Sequence, residues 1–277
     1  MDLLRHWNLR ERPFEATWDT RFFHAGPDHE EALSRLLYLV GETTMNIGLL
    51  TGEIGSGKTL TRAVFAGRID PARFQVLTVE NSGFPLEELL GSVLRRLDPG
   101  LTLNGEGKLA RCELFEQQVR RLNARGRHLV LVLDEAQDMT PATVHELRWL
   151  TNINGGGAAL VTLVLVGQPE LRSMILADAA INQRVSLRFH LKPLRADDLD
   201  PYLRHRLRTA GHPTGQVFTP AAALEIFQAT GGIPREVNRL AKLALEHAWV
   251  SEAARVEGAA VAAVVRDLER HLTLNHS

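Results

Sequence analysis

The 277-residue sequence lacks the features of a secreted, membrane-spanning or strongly charged protein. Its single cysteine, Cys112, excludes an intramolecular disulfide framework and fits a reducing compartment. No apolar run approaches the ~20 residues of a membrane-spanning helix. The N-terminus MDLLRHWNLRERPF is too charged for a signal peptide, and a formal net charge of -1 gives no overall attraction for nucleic acid or anionic lipid. We therefore expect a soluble, cytoplasmic protein.

Five short apolar runs alternate with amphipathic stretches over the first two thirds of the chain. Continuous runs are typical of strands covered on both faces, and the segments between them carry apolar residues at helical spacing. The pattern predicts an α/β fold with a mostly parallel sheet and crossover helices. The runs are NIGLLT (46–51), FQVLTVE (74–80), HLVLVLD (128–134), LVTLVLVG (160–167) and SLRFHL (186–191).

After Pro193 the sequence predicts helices only. The first covers about 197–210, and the second starts at Thr219, an N-cap residue followed by Pro220 at the first helical position. A third follows GGIPR, and a last one runs from about 257 to 272. We therefore expect two domains, an α/β domain over 1–192 and a small helical domain over 193–277.

The stretch TGEIGSGKT directly follows the first apolar run and has the spacing of a phosphate-binding loop. Its glycines let backbone N–H groups converge on phosphates, and the next helix presents its N-terminus to the same charge. Lys58 is expected to reach the β- and γ-phosphates, and Thr59 to place its hydroxyl on Mg²⁺. The alternative is a chance glycine-rich turn, but a strand before and a helix after favour nucleotide binding. The expected binding residues are Gly52, Glu53, Ile54, Gly55, Ser56, Gly57, Lys58, Thr59 and Leu60.

Two carboxylates, Asp134 and Glu135, end the third apolar run in VLVLDEAQD. An Asp there can hold the metal through water and Thr59, and the adjacent carboxylate can polarise an attacking water. A solvated acidic turn is the alternative. The position at the carboxyl end of a buried strand, where such sheets bind ligands, favours the functional interpretation.

Two polar residues follow other strands, and both allow two interpretations. Gln168, after the fourth run, can contact the γ-phosphate or the attacking water, or it can simply belong to a Gly-Gln-Pro turn. Asn81, after the second run, can restrain Glu135 until a partner binds, or it can cap a turn.

Two arginines are candidate phosphate contacts. Arg235 lies in the first turn of the helix that follows GGIP, a poor place for a cation unless it faces a phosphate. Arg184, just before the last strand, can project into a neighbouring subunit's site and make hydrolysis depend on assembly. A surface arginine is the alternative for Arg235, and Arg188 is the rival to Arg184.

Taken in this order, these features resemble the AAA+ ATPases, and more narrowly the ExeA/GspA-like group. The resemblance extends over most of residues 7 to 250, and the pair GQPEL and GGIPR is its most specific part. The motifs that carry it are WNLRERPF (7–14), PDHEEALSRLLY (27–38), TGEIGSGKT, VLDEAQD, ELRWLTN (146–152), LVLVGQPEL, INQRVSLRFHLKPL and GGIPREVN.

The resemblance implies a five-stranded parallel sheet of order 5-1-4-3-2 with a C-terminal helical lid, and ATP and Mg²⁺ bound between them. It also implies an adenine pocket formed in part by residues 1–40, around Phe22, Phe23 and His24. The other implied roles are Asp134 and Glu135 as the Walker B pair, Gln168 as sensor 1, Arg184 as the arginine finger and Arg235 as sensor 2.

The chain stops after the lid, whereas GspA-type proteins continue into a transmembrane helix and a periplasmic region. We therefore expect either a fragment or an ATPase-only member, related to MshM-like or TniB-, TnsC- and MuB-like proteins. One hypothesis is an ATP-dependent homo-oligomer, a ring or filament, that assembles an envelope machine for secretion or pilus biogenesis. The alternative is a DNA-binding transposition regulator that works with a transposase, supported by the arginine-rich RRLNARGRH (120–128) and YLRHRLR (202–208). A solvated helix face also explains those arginines.

Overall fold

The computed structural model describes residues 2–42, 44–103, 105 and 107–274. The chain divides into two compact units. The α/β unit comprises residues 30–54 and 61–191, and the helical unit comprises residues 2–29, 55–60 and, among those described, 192–274. The phosphate-loop residues 55–60 therefore belong to the helical unit, although the strand that precedes them belongs to the α/β unit.

The α/β unit is built on a five-stranded parallel sheet, as the apolar runs predict. The order across the sheet is β2-β3-β6-β1-β7. When only these five strands are numbered, this is the order 5-1-4-3-2 read from the opposite edge. The strands of this unit are β1 (Ile47–Gly52), β2 (Phe74–Val79), β3 (His128–Leu133), β4 (Asn154–Gly155), β5 (Ala158–Ala159), β6 (Val161–Gly167) and β7 (Val185–Leu191).

Burial along the strands follows their position in the sheet. Every residue of the central strands β1, β3 and β6 is buried, whereas the edge strands β2 and β7 contain partly exposed residues. Strands covered on both faces are mostly apolar along their length, which explains the continuous runs of the sequence. The two-residue pair β4–β5 was not predicted; it forms an antiparallel hairpin around Gly156 and Gly157, whose φ values are 62° and 86°.

Helices connect the strands of the sheet. The segment ELRWLTN does not continue the preceding α-helix but tightens into a 3₁₀-helix over Leu147–Asn152, which buries Leu147 and Leu150. The α-helices from the N-terminus to the last strand are α1 (Leu3–His6), α2 (Pro27–Gly41), α3 (Lys58–Arg68), α4 (Leu86–Leu97), α5 (Lys108–Ala124), α6 (Pro141–Glu146), α7 (Pro169–Ala177) and α8 (Ala179–Asn182).

Among the described residues after 192 there are four helices, and all four were predicted. They are α9 (Ala196–Thr209), α10 (Pro220–Thr230), α11 (Pro234–Val250) and α12 (Gly258–Leu274). The side chain of Thr219 accepts a hydrogen bond from the backbone N–H of Ala222, which caps α10. Gly231 ends the same helix in the left-handed conformation with φ 58°, and Pro234 opens α11.

The N-terminal segment packs with these four helices. Trp7, Phe14 and Phe22 lie in one hydrophobic core with residues of α9 to α12. The buried Arg206 strengthens this packing, because its guanidinium donates to the carbonyl oxygens of Pro13 and Glu15 at 2.6 and 2.9 Å and lies over the Phe22 ring. The compact units thus group residues 2–29 with the C-terminal helices, whereas we expected them with the α/β domain. The division into 1–192 and 193–277 stays a prediction about folding domains.

Candidate functional site

The loop between β1 and α3 has the backbone that a phosphate cradle requires. Gly55 and Gly57 have φ values of 82° and 96°, a region that side chains other than glycine adopt at a cost. A Cβ atom on Gly55 would lie 2.6 Å from the Cβ atom of Arg235, so packing also demands glycine there. The helix α3 begins at Lys58, so its N-terminal N–H groups directly follow this loop.

The polar side chains of this loop fit a phosphate ligand. Ser56 is 1% exposed, and its Oγ atom has no hydrogen-bond partner in the part of the chain that the structure describes. Lys58 is also buried, at 8% exposure. A buried hydroxyl without a partner is costly, and a phosphate oxygen is a partner that removes the cost. Thr59 and Leu60 are half-buried in the first turn of α3, and Glu53 and Ile54 are exposed.

A buried histidine contacts this loop. The Nε2 atom of His29, which is 6% exposed, lies 3.3 Å from the carbonyl oxygen of Ser56. Burial lowers the pKa of His29, and the hydrogen bond to Ser56 opposes that shift. The ring is therefore neutral near pH 7, with its N–H on Nε2 donating to the carbonyl.

Phe22 and Phe23 of the predicted adenine segment lie in different surroundings. Phe22 is a core residue, 3% exposed, rather than a pocket residue. Phe23 is half-buried and makes an edge-to-face contact with His29, the two ring centroids lying 5.8 Å apart. His29 thus joins the expected base-binding residue to the expected phosphate-binding loop.

Arg235 lies in the first turn of α11, as expected. Its backbone N–H donates to the carbonyl oxygen of Gly55 at 3.2 Å, and the neighbouring Ile233 also lies against Gly55. The first turn of α11 is therefore in contact with the phosphate loop, within the helical unit.

In the α/β unit, Asp134 directly follows the buried strand β3 and is only 4% exposed. Its carboxylate oxygen Oδ2 lies 3.0 Å from Nε of the buried Arg62 on α3. Its backbone carbonyl accepts a hydrogen bond from Ser82 Oγ at 2.6 Å. A buried carboxylate needs such partners, and Arg62 supplies the compensating charge.

Glu135 has an unusual backbone and a specific side-chain partner. Its φ of 49° places a residue other than glycine in the left-handed region, which is a cost that persists where surrounding contacts enforce it. Its carboxylate oxygen Oε2 accepts a hydrogen bond from Gln137 Nε2 at 2.9 Å. Asn81 was the candidate for restraining Glu135. Its Oδ1 atom accepts a hydrogen bond from the backbone N–H of Gly83 at 3.2 Å, as a turn-capping residue does.

The remaining candidates lie near the last two strands of the sheet, Gln168 directly after β6 and Arg184 directly before β7. Gln168 follows β6 as the N-terminal flank of α7, and its backbone N–H donates to Gln137 Oε1 at 3.0 Å. Arg184 Nη1 donates to Thr151 Oγ1 at 3.1 Å and to Asn152 Oδ1 at 2.9 Å. Its rival Arg188 donates to Asn182. Both arginines are therefore held by their own chain.

Three residues that contact predicted site residues within their own unit were not predicted: His29, Arg62 and Gln137. His29 and Gln137 lie within the quoted motifs PDHEEAL and DEAQD, which is the signal that could have singled them out. Arg62 has only a weak signal, a charged residue on the apolar-spaced face of α3 one turn after Lys58.

Comparison with known proteins gives matches over most of the chain. A family model described as an AAA domain matches residues 42–175. The chain is 31% identical over 241 residues to General secretion pathway protein A of Aeromonas hydrophila. The aligned region covers 86% of this chain and 43% of that protein. The chain therefore spans less than half the length of this relative.

Solved structures share the fold at low sequence identity. The ORC2 protein of Aeropyrum pernix, in ADPNP-ADP complexes, has a TM-score of 0.68 at 18% identity, covering 92% of this chain and 71% of that one. Cdc6p of Pyrobaculum aerophilum has a TM-score of 0.63 at 20% identity, covering 86% and 68%. The RuvB branch migration motor of Thermotoga maritima has a TM-score of 0.57 at 18% identity, covering 88% and 70%.

Within the described residues, no helix combines the length and hydropathy needed to cross a membrane. The phosphate-loop backbone, the sheet order and these similarities agree with one another. Residues 42–175 therefore form an AAA domain, the chain has the fold of the AAA+ P-loop NTPases, and it is related in sequence to General secretion pathway protein A.

Proposed function

We propose that this chain binds ATP with Mg²⁺ and hydrolyses it. The observation that carries the proposal is the buried hydroxyl of Ser56, which has no hydrogen-bond partner among the described residues and lies in a loop whose two left-handed glycines precede a helix N-terminus. A phosphate oxygen satisfies that hydroxyl and the loop's N–H groups together. The similar ORC2 structure in ADPNP-ADP complexes supports an adenine nucleotide as the ligand.

Each proposed nucleotide-binding residue has a role that follows from its chemistry. Lys58 contacts the β- and γ-phosphates, Arg235 a phosphate, and Phe23 the base through its ring face. The Thr59 hydroxyl and the Asp134 carboxylate, hard oxygen donors of the kind Mg²⁺ prefers, would hold this ion, Asp134 through water. When bound, Mg²⁺ neutralises charge on the phosphates during transfer.

The hydrolysis step is assigned to Glu135. Its carboxylate accepts a proton from the attacking water as that water's oxygen bonds to the γ-phosphorus. The bond from this phosphorus to the β,γ-bridging oxygen breaks, so the products are ADP and phosphate. The side chain of Gln168 orients the water or contacts the γ-phosphate.

Two variants separate binding from hydrolysis. We expect Lys58→Ala to abolish nucleotide binding, and Glu135→Gln to bind ATP with a turnover lower by about a hundredfold or more. Binding is measured with a fluorescent ATP analogue and turnover by phosphate release. Lys108→Ala, which alters an exposed lysine paired with Glu146, is the matched control and should change neither. Normal turnover in Glu135→Gln would show that Glu135 is not the base.

We further propose that ATP drives assembly of a homo-oligomer, a ring or filament, that assembles or remodels an envelope complex of the secretion or pilus type. The relationship to General secretion pathway protein A supports this role. The cytoplasmic location stays a prediction. Arg184 acts here as a finger for a neighbouring subunit, which requires it to exchange Thr151 and Asn152 for a phosphate.

The finger is tested with a pair of arginine variants. In the wild-type protein we expect turnover per subunit to rise with protein concentration as subunits assemble. Arg184→Ala should bind ATP normally but lose this rise, because each site then lacks the charge of its neighbour's arginine. Arg188→Ala should keep that increase. If Arg184→Ala behaves like the wild-type protein at every protein concentration, the role in trans is excluded.

The alternative function is an ATP-dependent, DNA-binding transposition regulator. Several arginines of the two clusters on which it rests, 120–128 and 202–208, are engaged within the protein. Arg206 binds backbone carbonyls in the core, Arg204 pairs with Asp200, and Arg208 donates to the Thr214 carbonyl. In the other cluster Arg120 pairs with Glu116. This engagement favours the first role, and a salt-dependent mobility shift of DNA with a non-hydrolysable ATP analogue would favour the second.

A further inference from the structure

Gln137 connects two residues of the proposed hydrolysis site within the α/β unit. Its Nε2 atom donates to Glu135 Oε2 at 2.9 Å, and its Oε1 atom accepts from the backbone N–H of Gln168 at 3.0 Å. The same Nε2 atom lies 3.3 Å from Asp138 Oδ1. One side-chain amide therefore spans from the candidate base to the turn between β6 and α7.

The chemistry of the two partners fixes the direction of this amide. The Glu135 carboxylate only accepts hydrogen bonds, and the Gln168 N–H only donates one. If the amide were flipped, its NH₂ group would face the N–H and its oxygen would face the carboxylate, so both bonds would be lost. Glutamine satisfies both partners, whereas glutamate keeps only the acceptor and methionine keeps neither.

The surroundings leave this side chain little freedom. A Cβ atom on Gly167 would lie 2.6 Å from Gln137 Oε1 and 3.3 Å from the Gln137 nitrogen, so the glycine at the end of β6 leaves room for this side chain. Glu135 itself is held in the left-handed region, and the next three residues form a tight 3₁₀ turn. Backbone strain and close packing thus both accompany the contact.

We propose that Gln137 is a positioning residue that ties the Glu135 carboxylate to the backbone of the β6–α7 turn, so that the position of Gln168 sets the orientation of the base. The inference rests on the proposed function, because it assumes that Glu135 activates water. A reaction that depends on a base within hydrogen-bond reach of water is sensitive to such orientation.

The main test is a double-mutant cycle on turnover. We expect Gln137→Met to lower kcat by about tenfold or more with KM for ATP nearly unchanged, and Gln137→Glu to lower it at least as far, because its carboxylate faces that of Glu135. In the Glu135→Gln background, Gln137→Met should change the residual kcat by less than about twofold, because a positioning residue has nothing left to position. Gln118→Met is the matched control, since Gln118 also donates an amide hydrogen bond to a carboxylate, Asp98, and should keep normal turnover.

A second test removes the hydrogen bond between Gln137 and Gln168 by a change at Gln168. Gln168 has φ -79°, which proline can adopt, so Gln168→Pro deletes the backbone donor at small conformational cost. Gln168→Ala loses the same side chain but keeps the N–H. We expect Gln168→Pro to lower kcat several-fold below Gln168→Ala, with ATP binding the same in both.

The outcomes distinguish the inference from the proposed function. Normal turnover in Glu135→Gln, or no hydrolysis by the wild-type protein, overturns the proposed function and the inference with it. A normal kcat in Gln137→Met beside an inactive Glu135→Gln overturns the inference alone. Additive losses of kcat in the double variant Glu135→Gln, Gln137→Met also overturn the inference. If Gln137→Met does not fold, equal kcat values for Gln168→Pro and Gln168→Ala overturn it instead.

Discussion

The two compact units hold their site residues by different means. In the helical unit the phosphate loop is shaped by backbone conformation and close packing, through left-handed Gly55 and Gly57 and the carbonyl contacts of His29 and Arg235. In the α/β unit the carboxylates are held by side chains, with Arg62 on Asp134 and Gln137 on Glu135.

This difference fits the roles proposed for the residues of each unit. Many N–H groups can share a phosphate, so its cradle depends on where the backbone lies. A general base works through one oxygen atom, so its orientation depends on a particular partner. We therefore expect substitutions in the helical unit to act mainly on nucleotide affinity and those in the α/β unit mainly on turnover. Of the three predictions below, those at Gly55 and His29 test that division, and the one at His128 tests how the α/β unit tolerates a buried ionisable group.

The largest effect is expected at Gly55. Alanine there would meet the left-handed conformation and the Arg235 Cβ atom at 2.6 Å, which together cost about 3 kcal/mol. We expect the free loop to relieve this strain by leaving the cradle conformation, which ATP binding must then restore, so that ATP binding is about a hundredfold weaker in a titration with a fluorescent analogue. Gly67→Ala is the control, because Gly67 is a helical glycine with no neighbouring atom within 4 Å of its would-be Cβ. It should raise stability by about 0.5–1 kcal/mol. Equal binding by the two variants would contradict a backbone-shaped cradle.

The second effect concerns acid stability of the α/β unit. Burial lowers the pKa of His128 from 6.5 to about 4, and its Nε2 lies 2.8 Å from Thr162 Oγ1. The unfolded chain takes up a proton as the pH falls below 6.5, but the folded chain does not, so stability is complete above that pH and is lost as the pH falls towards 4. The loss approaches about 3 kcal/mol.

Trp149 lies in the α/β unit against Phe115, and its fluorescence reports the unfolding of that unit when the three other tryptophans are replaced by phenylalanine. Urea titrations at pH 7 and pH 4.5 then give the free energy of unfolding at each pH. His128→Gln should reduce the difference between them, whereas His247→Gln, at an exposed position of the helical unit, should not. An unchanged difference in His128→Gln would assign the acid sensitivity to other groups.

The smallest effect is expected at His29. His29→Phe keeps a ring against Phe23 but leaves the Ser56 carbonyl without its donor, which costs about 1–2 kcal/mol. We expect KM for ATP to rise about tenfold with kcat nearly unchanged, as steady-state phosphate release would show. His247→Phe serves as the matched surface control. A loss confined to kcat would break the division between affinity and turnover.

Much of the fold was predictable because its signals are local. The third apolar run, 128–134, differs from β3 by one residue, and the Thr219-Pro220 start of α10 was confirmed through its capping bond. The hairpin around Gly156 was not predicted, because two-residue strands are too short to show a period. The grouping of residues 2–29 with the C-terminal helices was also missed. It depends on where Trp7, Phe14 and Phe22 find a core, and local periodicity does not contain that information.

The candidate site was only partly predictable for the same reason. The sequence by itself determined the parallel α/β fold and the phosphate loop, because strand runs, glycine spacing and the helix after them lie within a few residues of each other. Only the tertiary structure decided which side chains position the candidate site residues and the phosphate loop. Gln137 meets Gln168 from 31 positions away, and His29 meets Ser56 from 27. Such contacts exist only once the chain has folded, since they depend on burial and on the donors and acceptors that packing brings together.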